Sequence, residues 1–293
     1  MSTLEERIEN EIVLRQLLPD SSTVAIAVSG GIDSMVLLAL LNDLARRHAW
    51  KLVVAHFDHR LRGEESDRDL VLVQNTAEGL GLKSFVGTGD VRACAKESGQ
   101  SIEMAARQLR HQFLARTARE ANASRIALAH HASDQAEVFL LRLLRGVIGE
   151  GLGGMKWLNP SSADPSILLV RPLLGTRKEE IEQFAADRNI QFRRDASNDD
   201  LEFVRNRVRH ELLPLLRGIQ PQVESLLLRT AESISEQNEA LRTLARKWLR
   251  SGNEDLGSEP LALQRTVIHE QLLLLQIVPT LQLIDELRLK PGK

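Results

Sequence analysis

An apolar run that stops at paired glycines and turns directly into a helix constrains this chain more than any other feature. Thr23-Val24-Ala25-Ile26-Ala27-Val28 reads as a buried strand. Ser29-Gly30-Gly31-Ile32-Asp33-Ser34 follows at once, and the Leu- and Ala-rich stretch from Met35 to Arg47 predicts a helix. A strand ending in Ser-Gly-Gly presents backbone N–H groups at the positive end of a helix dipole, and the glycines let an anion approach the main chain. That chemistry suits phosphate. No Gly-Lys-Ser/Thr follows, so this is not a Walker loop. An ordinary strand-to-helix turn uses the same residue types, and Asp33 would then be only a first-turn acid favouring the dipole.

The alternation continues. Leu52 to Phe57 reads as a strand, Asp67 to Leu80 as a helix and Lys83 to Gly87 as a shorter strand. A helical region from Val91 to Asn122 breaks near Gly99. Arg125 to Ala129 is another strand, Ser133 to Arg145 a helix, and Ile167 to Val170 the last strand. This order predicts an α/β fold, a parallel sheet with helices on both faces and ligands beyond the strands' C-terminal ends. The glycine loop, His56 to His59 and His130-His131 all fall at such ends, so they are expected to converge on one crevice. From about Gln220 strand signals vanish, and apolar residues recur at helical spacing through Val223–Leu249 and Leu261–Ile277. We therefore expect a catalytic domain over 1–217 and a smaller all-helical domain over 218–293. The leucine runs Leu226–Leu228 and Leu272–Leu275 are expected to be core.

At 293 residues the chain has room for two domains, and no apolar stretch reaches membrane-spanning length. The charged N-terminus shows no signal or transit peptide, which predicts a cytoplasmic protein. A single cysteine, Cys94, leaves no internal disulfide and no Cys-x-x-Cys metal site. The net charge of −2 gives no hint of nucleic acid, yet the arginines are grouped. Arg107, Arg110, Arg116 and Arg119 share one predicted helix with His111, and Arg205, Arg207 and Arg209 form a second cluster. Between Arg171 and Arg217 ten Lys/Arg face nine Asp/Glu, so no broad basic surface follows, and Tyr is absent for stacking on bases.

Ser29-Gly30-Gly31-Ile32-Asp33-Ser34 resembles the loop of the PP-loop ATP pyrophosphatases, which share an adenine-nucleotide α-hydrolase-like fold. Three further blocks resemble the tRNA(Ile)-lysidine synthetase family. They are His56-Phe57-Asp58-His59-Arg60-Leu61-Arg62 with Glu65-Ser66, Ala129-His130-His131-Ala132-Ser133-Asp134-Gln135-Ala136-Glu137, and Arg171-Pro172-Leu173-Leu174. The third is followed by Asp195, Ser197-Asn198 and Arg205-Asn206-Arg207-Val208-Arg209. The resemblance spans residues 22 to 217 in the family's order. It implies that ATP adenylates O2 of the wobble cytidine of a tRNA(Ile) with a CAU anticodon, and that free L-lysine then attacks C2 and expels AMP.

The same resemblance assigns residues. Ser29, Gly30, Gly31, Ile32, Asp33 and Ser34 would hold ATP and its pyrophosphate, with His56 and Asp58 lining the nucleotide site. Asp33 and Asp134 would hold Mg²⁺, since a carboxylate beside pyrophosphate needs a cation between them. Asp33, Asp134 and Arg107 are the candidate catalytic residues. His130, Asp134 and Glu137 are the candidates for lysine, whose amine must lose a proton to a carboxylate or imidazole before attack. Arg110, Arg205 and Arg209 are the candidates for tRNA, whose target base would be splayed into the pocket.

Other readings stand beside these. Asp134-x-x-Glu137 at a helix start is also a capping box, with Asp134 as N-cap, and spacing alone favours the cap. Each arginine is by default a solvated or ion-paired surface charge. The chain departs from the family at Ser133, where Asp is usual, at Val138, where Thr is common, and at Val147-Ile148, where Ser-Gly is expected. Longer members continue beyond Pro291-Gly292-Lys293 into a further tRNA-associated domain, so a naturally short chain and a truncated one both remain open. Monomer and homodimer remain open too. The rival functions are another PP-loop enzyme, a tRNA thiolase or an amide-forming ligase, and a non-catalytic RNA-binding module.

Overall fold

The computed structural model describes residues 3–60, 63–147, 149–193, 204–252 and 255–290. Leu61, Arg62, Ile148, Asp195, Ser197, Asn198 and Pro291 to Lys293 lie outside the described residues. The chain divides into two compact units, 1–141 with 155–228 and 142–154 with 229–293. The 217/218 boundary expected from sequence lies before the first unit ends at Leu228.

In the first unit six strands form one sheet in the order β3-β2-β1-β4-β6-β5. They are β1 Thr23–Ala27, β2 Lys51–Asp58, β3 Lys83–Thr88, β4 Arg125–Ala127, β5 Leu158–Pro160 and β6 Leu168–Val170. All neighbours are parallel except β5 and β6. The sheet is thus mostly rather than wholly parallel. The short edge strand β5 escaped sequence reading because Leu158-Asn159-Pro160 has no strand pattern, and its proline is tolerated only at an edge.

Alternation along the strands separates two cores. Val24 and Ile26 of β1 and Leu52 and Val54 of β2 pack with Ile8, Leu37, Val73 and Ile181. Those residues come from α1 Leu4–Leu14, α2 Ile32–His48, α3 Glu64–Gly79 and α7 Lys178–Asp187. Ala25, Val53 and Ala55 face the other way, onto Phe113, Leu114 and Ala118 of α5 Ile102–Glu120. Side chains of a strand point alternately to opposite faces, so a sheet covered on both sides requires apolar residues at every position. The predicted break near Gly99 is real. Gly99 ends α4 Val91–Ser98 with a φ of 66°, a left-handed cap that glycine adopts without strain.

The strand order reverses between β1 and β4, so the switch point lies where β1 passes into α2 and β4 into α6 Ala132–Leu144. Further along the first unit, α8 Val204–Arg207 runs through a π-helical stretch, Val208–Leu212, into α9 Leu213–Ile219. Leu213 N–H donates to Val208 O across the wide turn, and Pro214, just inside α9, has no N–H to restore α-helical pairing. Ala136 and Leu140 of α6 pack on Val208 and Leu213, which ties this segment to the switch point.

The second unit is helical, built from the later part of α10 Val223–Arg250 with α11 Leu261–Leu274 and α12 Leu281–Leu289. Ile268, Leu272 and Ile284 form its core, and Arg242 and Arg246 pair with buried Glu270 at 3.2 and 2.8 Å. The expectation that Leu272–Leu275 is core is corrected: Leu272 is buried, but Leu273, Leu274 and Leu275 are exposed. Successive residues of a helix point about 100° apart, so one face cannot take them all. Among the described residues no helix is long and apolar enough to cross a membrane.

Candidate active site

The glycine loop is ordered by its own hydroxyls. Ser34 Oγ accepts from Ser29 N–H at 3.1 Å and donates to Gly31 O at 2.8 Å, while Gly31 N–H reaches Ser29 Oγ at 3.4 Å. Gly30 has a φ of 92°, a backbone state that L side chains rarely adopt, so glycine is needed there. Gly31 is the N-cap of α2 and supplies no side-chain cap. The first-turn amides, beginning at Ile32, therefore point at the loop without helical partners. Arg193 N–H donates to Gly30 O, and Arg193 Nε holds Asp69 at 2.7 Å, so the loop is backed from the side.

His56, at the end of β2, is buried with its Nδ1 2.8 Å from Val28 O, directly before Ser29. Burial depresses its pKa, although the Val28 hydrogen bond and the charges of Asp58 and Asp69 oppose the fall. Asp58 Oδ1 accepts from Arg60 N–H, an Asx turn that shapes the strand end. His56 thus anchors the loop from beneath.

Asp33 and Asp134 meet at His131. Its Nε2 lies 3.8 Å from Asp33 Oδ1 and 3.5 Å from Asp134 Oδ2. Ser133 N–H donates to His131 Nδ1 at 3.3 Å, so the imidazole proton sits on Nε2, between the carboxylates. Asp33 also accepts from Lys178 Nζ at the start of α7. Both acids are satisfied by cationic or N–H partners, the environment that a bound cation would supply.

The capping-box reading fails in its expected register. Because α6 begins at Ala132, His131 is the N-cap, and Asp134 at N3 accepts from His131 N–H at 3.1 Å. Glu137 lies beyond the cap and is buried, its side chain 1% exposed. Arg205 Nε donates to its Oε2 at 2.9 Å, and Arg209 bridges both carboxylate oxygens through Nε and Nη2. Both arginines also approach Asp134 Oδ1, at 3.5 and 3.4 Å. Four residues apart on a helical segment, they share one face, while Arg207 points away to Glu211. Burial lowers the Arg209 pKa and its Glu137 hydrogen bond and charge raise it, with a net rise. Burial raises Asp134, but His131, His130 and Arg205 outweigh it and hold its carboxyl low.

On the other side of His130 lies a cluster of positive charge. Arg171 is buried and donates to His130 Nδ1 at 3.2 Å and to Lys156 O at 2.7 Å. Burial, reinforced by Arg107, lowers its pKa to about 10. Burial and then Arg107 and Arg205 likewise lower Arg110, whose buried Nε has no hydrogen-bond partner among the described residues. His111 is neutral down to about 4, through burial and then Arg110, Arg107 and Arg171. Arg107 itself is exposed beside this cluster.

Of the residues singled out from sequence, the structure brings Asp33, Asp134, Glu137, Arg205 and Arg209 into one network through His131, and links His130 to Arg171. Arg205 and Arg209 face the acids rather than an open basic surface. Lys178 was missed and carries no motif signal. Arg171 was named without a role, although it directly follows β6 and so sits at a strand end like the other clusters.

A model of the PP-loop domain matches residues 3–216. The tRNA(Ile)-lysidine synthase of Geobacter sulfurreducens is 42% identical over 228 residues, 78% of this chain and 47% of that protein. That of Thermosipho africanus is 38% identical over 236 residues, 80% of this chain and 53% of that protein. The chain spans about half the length of the curated relatives it matches. The U34-tRNA thiolase NcsA from Methanococcus maripaludis superposes with a TM-score of 0.66 at 17% identity, over 79% of this chain and 78% of that one, a likeness of fold alone. With its glycine loop at the switch point of a mostly parallel sheet and the match covering most of its length, this chain belongs to the PP-loop domain family.

Proposed function

We propose that this chain is a cytoplasmic tRNA-modifying ligase. It adenylates O2 of the wobble cytidine of tRNA(Ile) with a CAU anticodon and joins free L-lysine to C2, giving lysidine, AMP and pyrophosphate. The observation that carries this reading is the acid network at the loop. Asp33 and Asp134 flank one imidazole, and next to them buried Glu137 already holds two guanidinium groups. A carboxylate so placed can hold the cationic end of an amino acid.

The residues divide the work. The amides opening α2 and the hydroxyls of Ser29 and Ser34 cradle the phosphates. Arg107 and Arg110, whose buried Nε has no hydrogen-bond partner among the described residues, suit the charge that develops on the α-phosphate and on the departing AMP. Asp134 or Glu137 accepts the proton that the lysine amine releases before attack. Asp33 and Asp134 fit Mg²⁺: Lys178 and His131 already present a charge and an N–H to them. Among the described residues no three His, Cys, Asp or Glu side chains are grouped to hold a metal unaided. Phosphate and water would therefore complete its shell, as is usual for Mg²⁺ with nucleotides, and the ion would neutralise the pyrophosphate. Arg205 and Arg209 contact the anticodon region once released from the acids.

The lone Cys94 gives a thiolase no pair of cysteines. AMP release that requires both lysine and tRNA tests the reading; release that lysine does not change would overturn it.

A further inference from the structure

His130 and His131 are adjacent, yet their hydrogen bonds give them different work. Arg171 Nε lies 3.2 Å from His130 Nδ1. An arginine offers only N–H donors and remains charged at any pH of interest. The bond therefore runs one way: Arg171 donates, and His130 Nδ1 must keep its lone pair. The single proton of that imidazole is then on Nε2. Arg171 is itself held in place by Lys156 O and Asn159 Oδ1, and all three of these acceptors are neutral. At 5% exposure, a guanidinium placed on neutral acceptors is costly, and its charge bears directly on the imidazole.

We propose that Arg171 is a positioning residue that fixes His130 as its Nε2–H tautomer, so that His130 donates a hydrogen bond to the substrate and takes no proton from the attacking amine. The inference rests on the lysidine reading for what that substrate is. The amine's proton then passes to an oxygen of Asp134 or Glu137, which decides between the carboxylate and the imidazole that the sequence left open. The electrostatics agree. Burial depresses the His130 pKa most, Asp134 opposes it, and Arg171, Arg110 and Arg205 add to the fall, to about 3.

Protein labelled with ¹⁵N in its imidazoles tests this by long-range ¹H–¹⁵N correlation at neutral pH, with His130 assigned by the signals lost in H130Q. The wild type should show the Nε2–H pattern. R171M, which removes the donor, should shift His130 to the Nδ1–H form or a mixture, and R171K should retain Nε2–H. N159A removes a different partner of the guanidinium and should also retain it, which separates a loosened site from a lost donor. With tRNA, ATP and lysine, R171M should lower kcat for AMP release on the order of 10–100-fold, with partial recovery in R171K. A wild-type His130 that is Nδ1–H or doubly protonated would overturn the proposal, even should R171M fail to fold, and so would an unaltered Nε2–H signal in folded R171M. The tautomer is read on the protein alone, so its outcome is independent of whether lysine-dependent AMP release is found.

Discussion

Asp33, from the first turn of α2, and Asp134, from the first turn of α6, place carboxylate oxygens 3.8 and 3.5 Å from the same atom, His131 Nε2. The two helices follow β1 and β4, neighbouring strands on either side of the point where the strand order reverses. Two acids from separate halves of the sheet therefore meet at one imidazole. Each is held against repulsion by an N–H or an ammonium group, which a nucleotide-bound cation would replace.

Asp33→Asn removes the charge nearest the phosphate loop and leaves a side chain of the same size. Pyrophosphate release should fall by about 100-fold or more, with the fold retained by circular dichroism and melting temperature. Near-normal release would show that Asp33 only tunes the helix dipole.

Glu137→Ala should act twice. Removing a buried acid leaves Arg205 and Arg209 with only their longer contacts to Asp134, at 3.5 and 3.4 Å, at a cost of about 1–3 kcal/mol in urea unfolding. The lysine KM should rise more than the ATP KM in steady-state titrations, and Glu137→Gln, closer in volume, should separate the two effects. Equal changes in both KM values would contradict the assignment to lysine.

Arg205→Ala leaves the bidentate Arg209–Glu137 pair in place. Affinity for tRNA should weaken by roughly 1–3 kcal/mol if Arg205 makes a charge-assisted phosphate contact. Unchanged affinity at low salt, with a lower melting temperature, would make Arg205 a partner of the acids only.

His111 predicts a pH dependence. In the unfolded chain it takes a proton near 6.5, whereas in the fold burial and Arg110, Arg107 and Arg171 keep it neutral to about 4. Between those values the unfolded state binds the extra proton, so stability falls as pH falls, by up to about 1.4 kcal/mol per pH unit. His111→Gln should flatten the slope of unfolding free energy against pH in that window. An unchanged slope would place the titration elsewhere.

The fold was legible where local pattern and global position agree. Continuous apolar strands, the glycine loop and the Gly99 break are short-range signals, and they located β1 to β4, β6 and α2 to α6 closely. β5 has no such signal, because an edge strand of three residues is specified by its neighbour β6 rather than by its own side chains. The site was legible as three clusters at strand ends, since that rule depends only on strand order. Its pairings were not. Nothing in Arg205-Asn206-Arg207-Val208-Arg209 distinguishes guanidiniums facing RNA from guanidiniums facing Glu137. The wide turn before Pro214, which accompanies the inward placement of Arg205 and Arg209, has no sequence period of its own. Lys178 meets Asp33 through the packing of α7 beside α2, a contact between distant segments that no motif announces.

We propose above all that the gathered acids and phosphate loop join lysine to a tRNA base. Mass analysis of tRNA(Ile) after incubation with ATP, Mg²⁺ and isotopically labelled lysine tests it most directly. The wobble nucleoside should gain one labelled lysine less one water, with AMP formed in equal amount, and the gain should disappear in Asp33→Asn. Unmodified tRNA from a folded protein that still binds ATP would contradict it.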